Sequence, residues 1–275
     1  MKNETTIMQE KKRGRGRPPG SKKVRVEVPF DPSSIRTTRG NDMKFADSLF
    51  VPMKAGNELD VIFSTEGGLM PATNMVIAGG AGSGKTTLAL DYMASLTRQG
   101  YKCLFISGEM DEIGYYKYCK RLEGIGCVEV MFLKNYSETI KDALEYQFSQ
   151  GYDVIAIDSI AEVIEMYKDT YRTTESAAEM WFLHLQDKMK MGENKGSYNT
   201  SFINIQQVTK DGTFAGSNRL KHMTDAMAHI DRSKDGTERS IYFSKNRDCD
   251  KEFAVYFAFN RGRVEYSYEF ISETA

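Results

Sequence analysis

Apolar residues along this chain fall into short unbroken runs separated by longer stretches of mixed character, and the first clear run is Met75-Val76-Ile77-Ala78. A run of that length bounded by turn residues reads as a buried strand. Residues 87–96 then read as a helix, Lys102–Ser107 as a strand, Asp111 to about Glu123 as a helix, and 137–150 as another. Asp153–Ser159 and Thr200–Ile205 are further core strands, whereas residues 161–175 and 206–217 read as mobile loops. Beyond residue 226 the pattern changes to strands without intervening helices: Met227–Ile230, Arg239–Ser244, Phe253–Phe259 and Val264–Tyr268. From about residue 41 onward this predicts one α/β domain, with a largely parallel sheet covered by helices and antiparallel hairpins at one edge. No internal repeat interrupts it.

The first strand leads directly into Gly79-Gly80-Ala81-Gly82-Ser83-Gly84-Lys85-Thr86, which matches G-x-x-x-x-G-K-[ST] between a strand and a helix. That context makes it a phosphate-binding P-loop. Glycines let the backbone curl so that its N–H groups point inward, and the helix that opens through Thr86 and Thr87 adds the positive end of its dipole. Lys85 would reach the β- and γ-phosphates of ATP, and the Thr86 hydroxyl would hold Mg²⁺.

Parallel strands deliver residues to a common carboxyl edge, where ligands of open α/β sheets bind. Three strand ends carry suitable chemistry. Glu109 follows the second strand, where its carboxylate would orient or deprotonate an attacking water; the competing reading is a cap on the next helix. Asp158 ends an apolar strand in a Walker-B pattern and would hold Mg²⁺ with Thr86, while Asp153 belongs to the preceding turn. Gln207 ends another strand, placed to sense a γ-phosphate and to move the following loop, which contains Lys210. Lys168 and Arg172 fall in the other expected loop and, with Lys210, are candidate DNA contacts. Lys245-Asn246-Arg247 is read between two strands, either as a solvated basic turn or as fixed charge reaching a neighbouring subunit's nucleotide.

Charge divides the chain unevenly. Residues 1–40 hold eleven Lys/Arg against four Asp/Glu, a surplus of +7, leaving 26 against 34, or −8, for residues 41–275. Such a tail has nothing with which to build a core and is expected to be disordered when free. Its Arg15-Gly16-Arg17-Pro18 core, flanked by Lys22 and Lys23, resembles an AT-hook, with affinity for the minor groove of A·T-rich duplex DNA; unspecific attraction to nucleic acid and a solvated or address-bearing tail are the alternatives. Cys103, Cys119, Cys127 and Cys249, and His184, His222 and His229, show no zinc-ligand spacing or disulfide framework. No apolar run approaches the ~18 residues of a membrane span, and no secretory block opens the chain, so a cytoplasmic, nucleoid-associated protein with no membrane partner is expected.

Several stretches together resemble the RadA/Sms family of RecA-fold DNA-repair ATPases. They are Gly56–Asp60, Glu66–Pro71, the P-loop, Ser107-Gly108-Glu109, Val208–Gly212, Ala215-Gly216, Leu220–Asp225 and Lys245-Asn246-Arg247. The resemblance covers about residues 50–260 and implies a RecA-like P-loop NTPase fold over residues 41–275. It also implies a hexameric, ring-forming ATPase that translocates on single-stranded DNA and drives branch migration, alongside recombination or replication proteins. Lys245 and Arg247 would then contribute to DNA-dependent turnover, across a subunit boundary. Gln207 stands where RadA typically has histidine, Asp248-Cys249 replaces the family's Phe-Gly, and the family's zinc finger and protease-like domain have no counterpart in these residues. Alternatives are a RecA-like strand-exchange filament or replicative helicase, and a KaiC-like nucleotide switch acting on a protein partner.

Overall fold

The computed structural model describes residues 31–208, 218–233, 235–236, 238–250 and 254–269, and in it the apolar runs join into one nine-stranded sheet. The strands are β1 (Asn74–Gly79), β2 (Cys103–Ser107), β3 (Glu129–Phe132), β4 (Val154–Asp158), β5 (Ser201–Gln207), β6 (Ala226–Arg232), β7 (Arg239–Asn246), β8 (Val255–Asn260) and β9 (Arg263–Ser267). Their order is β3-β2-β4-β5-β1-β6-β7-β8-β9. Pairs from β3 to β6 are parallel, and β6 to β9 are antiparallel. This is the expected parallel sheet with hairpins at one edge.

Seven helices accompany the described strands: α1 (Asp60–Phe63), α2 (Lys85–Arg98), α3 (Glu112–Arg121), α4 (Ile140–Phe148), α5 (Ile160–Tyr171), α6 (Glu175–Lys190) and α7 (Asn218–Met223). Strands β1, β2 and β4 are buried along their whole length, as a sheet covered on both faces requires. Alternate side chains feed two cores. Met75, Ile77, Phe105 and Ala156 pack with α2, whereas Val76, Leu104, Ile106, Ile155 and Ile157 pack with α4, α5 and α6.

Two sequence expectations change here. Residues 161–175 are not a loop: α5 occupies most of them, burying Ile160 and Val163, and α6 begins at Glu175. Only those two α5 residues are fully buried, so its apolar stripe is too thin to stand out in the sequence. The basic triplet is not a turn either, because Lys245 and Asn246 are the last residues of β7.

Polar groups fix the start of the sheet. Asn74, Gln186 and Asn204, each at most 1% exposed, form a closed amide triangle with bonds of 2.9, 2.8 and 2.7 Å that ties α6 to β1 and β5. Ahead of β1, the Asp60 carboxylate accepts from the backbone of Ala55 at 2.9 Å and Gly56 at 2.7 Å. The Gly56–Asp60 stretch is therefore a self-capped entry to the core.

The chain divides into two units, Met1–Lys44 and Phe45–Ala275. In the first, residues 31–44 are all exposed and form short 3-10 turns at Pro32–Ser34 and Gly40–Asp42. Arg15, Arg17, Lys22 and Lys23 lie outside the described residues, as does Lys210.

Candidate nucleotide site

Register brings the predicted strand ends to one edge. Gly79 pairs with Gln207, Ser107 with Asp158, and Asp158 with Ile205, so the P-loop, Glu109, Asp158 and Gln207 emerge side by side. A cavity of about 550 Å³ opens there. Ala81, Gly82, Gly84, Lys85, Thr86 and Thr87 line its floor, with Gly79, Gly80 and Ser83 completing the loop. Gly82 and Gly84 have φ of +71° and +103°, left-handed values that curl the loop before α2.

Lys85 Nζ donates to the carbonyls of Gly79 and Gly80, both at 2.8 Å. Burial lowers its pKa, opposed by the negative charges of Asp158 and Glu109. Thr86 Oγ1 donates to Asp158 Oδ2 at 2.6 Å. Burial raises the Asp158 pKa to about 6, and Glu109 pushes the same way against the Thr86 hydrogen bond and Lys85. Two hard oxygen donors beside the phosphate loop, one a buried carboxylate short of positive charge, fit Mg²⁺.

Glu109 does not cap the next helix. Asp111 does, accepting from Gly114 N at 2.7 Å. Glu109 instead lines the cavity and accepts from Gln207 Nε2 at 3.2 Å. Gly108 makes that placement possible, since a Cβ there would lie 2.8 Å from Glu162 Cβ. Asp153 stays in its turn, accepting from Lys102 N at 2.7 Å.

Lys245 and Arg247 do not join the cavity of their own chain. β6 runs parallel to β1 toward the P-loop edge, and antiparallel β7 returns, pairing Lys245 with Met227 and Asn246 with Ala226 at the opposite edge. Lys168, expected on a loop, sits on α5 and pairs with Glu165 at 2.5 Å, and Arg172 caps the helix with φ +48°. Asp248, which departs from the family's pattern, accepts from Thr73 Oγ1 at 3.1 Å and so helps fix the segment before β1.

Sequence reading missed the other end of the cavity. Tyr118 and Arg121 enter it from α3, Leu122 from just past the end of that helix, and Phe259, Gly262 and Arg263 from the β8–β9 hairpin. The Arg121 guanidinium lies 4.4 Å over the Tyr118 ring, and Arg239 lies 4.9 Å over Phe259. An aromatic and an arginine three residues apart, on the helix after Glu109, are the one local signal that could have pointed there. The hairpin carried none, because it reaches the site only through the fold.

Among the described residues no group of His, Cys, Asp or Glu has the make-up of a dedicated metal cluster, and no helix is long and apolar enough to cross a membrane. A family model described as KaiC ATPase matches residues 54–127. The DNA repair protein RadA of Campylobacter jejuni is 29% identical over 191 residues, covering 70% of this chain and 40% of that protein. RadA of Mycobacterium tuberculosis is 28% identical over 196 residues, with 70% and 38% covered, and RadA of Listeria monocytogenes 26% over 200 residues, with 72% and 42% covered. The matched region thus spans about 40% of the length of these curated relatives. Among solved structures, a KaiC-like protein of Pyrococcus horikoshii aligns over 79% of this chain and 99% of its own, with a TM-score of 0.54 and 16% identity, a likeness of fold. The chain has a RecA-like P-loop ATPase fold and is similar in sequence, over about 70% of its length, to the RadA DNA repair proteins.

Proposed function

We propose that this chain is an ATP hydrolase of the RadA type that binds single-stranded DNA and works as a motor in recombination, repair or replication. The observation that carries the reading is the convergence of Lys85, Thr86, Glu109, Asp158 and Gln207 on one cavity at the carboxyl edge of the sheet. Lys85 leaves its two carbonyl partners for the phosphates, while the loop N–H groups cradle them. Thr86 and Asp158 hold Mg²⁺, whose chemistry when bound is to neutralise charge on the phosphate oxygens. Glu109 orients and deprotonates the attacking water, and Gln207, bonded to it, reports the state of the γ-phosphate to the loop that follows. Tyr118, Arg121 and Phe259 offer faces for the base and ribose.

The basic tail supplies Arg15, Arg17, Lys22 and Lys23 to nucleic acid, including A·T-rich duplex, and Lys168, Arg172 and Lys210 are further contacts. A hexameric ring, recombination or replication partners and a cytoplasmic location belong to the same reading. The KaiC-type match favours a second reading, a nucleotide switch acting on a protein partner. A strand-exchange filament or replicative helicase is separated from a RadA-type ring by the shape of the particles on DNA.

Steady-state ATP hydrolysis without DNA, with single strands and with duplex, using Lys85→Ala as control, tests the proposal. Stimulation by single strands is expected, and Glu109→Gln should keep ATP binding while slowing hydrolysis. Lys85-dependent turnover indifferent to DNA would favour the switch.

A further inference from the structure

Glu109 is itself exposed, yet the peptide planes on either side of it are pinned. Ahead of it, the Gly108 and Glu109 N–H groups donate to Asp158 O at 2.6 and 3.3 Å. Behind it, the Glu109–Met110 peptide is held at both ends: its carbonyl accepts from Lys134 Nζ at 2.8 Å, and its N–H donates to Ser107 Oγ at 3.1 Å. Ser107 is fully buried at the end of β2, and its hydroxyl donates in turn to Met110 O at 2.9 Å, which closes the turn on itself. Fixing the two planes that flank a residue fixes its φ and ψ, and with them the direction of its Cβ. The Glu109 side chain is thus directed before it meets Gln207.

Asp158 and Ser107 belong to the strands that end at the site, whereas Lys134 arrives from elsewhere. It lies in the 3-10 segment Leu133–Thr139 that follows β3. Its neighbours hold that segment in place: Asn135 Nδ2 donates to Glu112 Oε1 at 2.7 Å in the first turn of α3, and Ser137 O accepts from Thr170 Oγ1 at 2.8 Å near the end of α5. The Lys134 side chain is exposed and does not line the nucleotide cavity. Its bond to a backbone carbonyl is charge-assisted and therefore among the stronger kind, but it buries no apolar surface.

We propose that Lys134 is a positioning residue for ATP hydrolysis, locking the Glu109–Met110 peptide so that the Glu109 carboxylate is presented to the attacking water. The inference rests on the ATP-hydrolase reading and adds to it a residue outside the phosphate loop and the strand-end motifs.

The test compares ATP turnover with single-stranded DNA present, affinity for a fluorescent ADP analogue, and melting temperature for Lys134→Met and Lys134→Arg. Lys134→Met keeps most of the apolar stem and removes the donor. It should lower kcat about tenfold, the scale of a displaced reacting group. Nucleotide affinity should change by no more than about twofold, because the phosphate loop is untouched. The melting temperature should move by no more than about 2 °C, as at other exposed positions. Lys134→Arg can still donate to the carbonyl and should keep turnover within about threefold of the unaltered protein. In single-turnover measurements, adding Lys134→Met to Glu109→Gln should cause no further loss, since the group being positioned is already gone. Unaltered kcat in Lys134→Met, equal losses in Lys134→Met and Lys134→Arg, a loss expressed as weakened nucleotide affinity, or multiplying losses with Glu109→Gln would overturn the inference while leaving the ATPase reading intact. Absence of any turnover that Lys85→Ala removes would overturn both.

Discussion

Thr86 Oγ1 donates to Asp158 Oδ2 across 2.6 Å, so the first turn of α2 and the end of β4 are joined where Mg²⁺ is proposed to sit. Asp158 is 3% exposed, and burial holds its carboxyl at about 6, above the ordinary 3.8. The folded chain therefore binds this proton more tightly than the unfolded chain. The group favours folding at low pH, and that advantage is lost as pH rises from 3.8 through about 6.

At neutral pH the ionised Asp158 opposes folding by up to ~3 kcal/mol, from the size of that shift. Asp158→Asn should raise the stability of nucleotide-free protein in urea unfolding and abolish Mg²⁺-dependent nucleotide binding. In the unaltered protein, Mg²⁺ dependence of nucleotide binding should weaken below about pH 6, as measured by titration of a fluorescent nucleotide. A destabilised Asp158→Asn protein would show that the carboxylate is stabilised by contacts rather than penalised by burial.

Gly84 admits no side chain. Its φ is +103°, and a Cβ would lie 2.8 Å from Phe259 Cζ. Gly84→Ala should cost ~1–3 kcal/mol and weaken nucleotide binding. Adding Phe259→Ala relieves the clash but not the left-handed backbone, so thermal melts should show only partial recovery. Full recovery would assign the whole cost to the aromatic ring.

The amide triangle of Asn74, Gln186 and Asn204 makes a different prediction. Asn204→Leu leaves two fully buried amides each short of a partner and should cost ~2–4 kcal/mol in denaturant unfolding. Gln186→Leu should cost a similar amount. The two together should cost less than the sum of the single changes, since each removes the same network.

Much of the site was legible because its chemistry sits on local motifs. Gly79–Thr86 and Asp158 adjoin continuous apolar strands, and Glu109 follows a third, so a parallel sheet brings them to one edge by topology alone. Lys245 and Arg247 show what that logic needs in addition. Once β6 is parallel to β1, the antiparallel return of β7 must carry its end to the opposite edge, and counting strand directions would have placed the triplet there. Phe259 and Arg263 were hidden for another reason: they meet the P-loop from a hairpin more than a hundred residues away, and only packing against Gly84 and the end of α3 creates that wall. Helix α5 was misread because its buried stripe consists of Ile160 and Val163.

The far-edge position of Arg247 bears on how copies of the chain would repair one another. A Lys85→Ala chain lacks its phosphate lysine but keeps an intact Asp225–Arg247 edge, whereas an Arg247→Ala chain has the reverse defect. If one copy's edge completes the next copy's cavity, equal mixtures of these two silent variants should regain turnover at roughly one interface in four, as random placement around a head-to-tail ring requires. Complementation of this kind would make the functional unit of the proposed ATPase the boundary between two chains, with each chain contributing half of two different active sites.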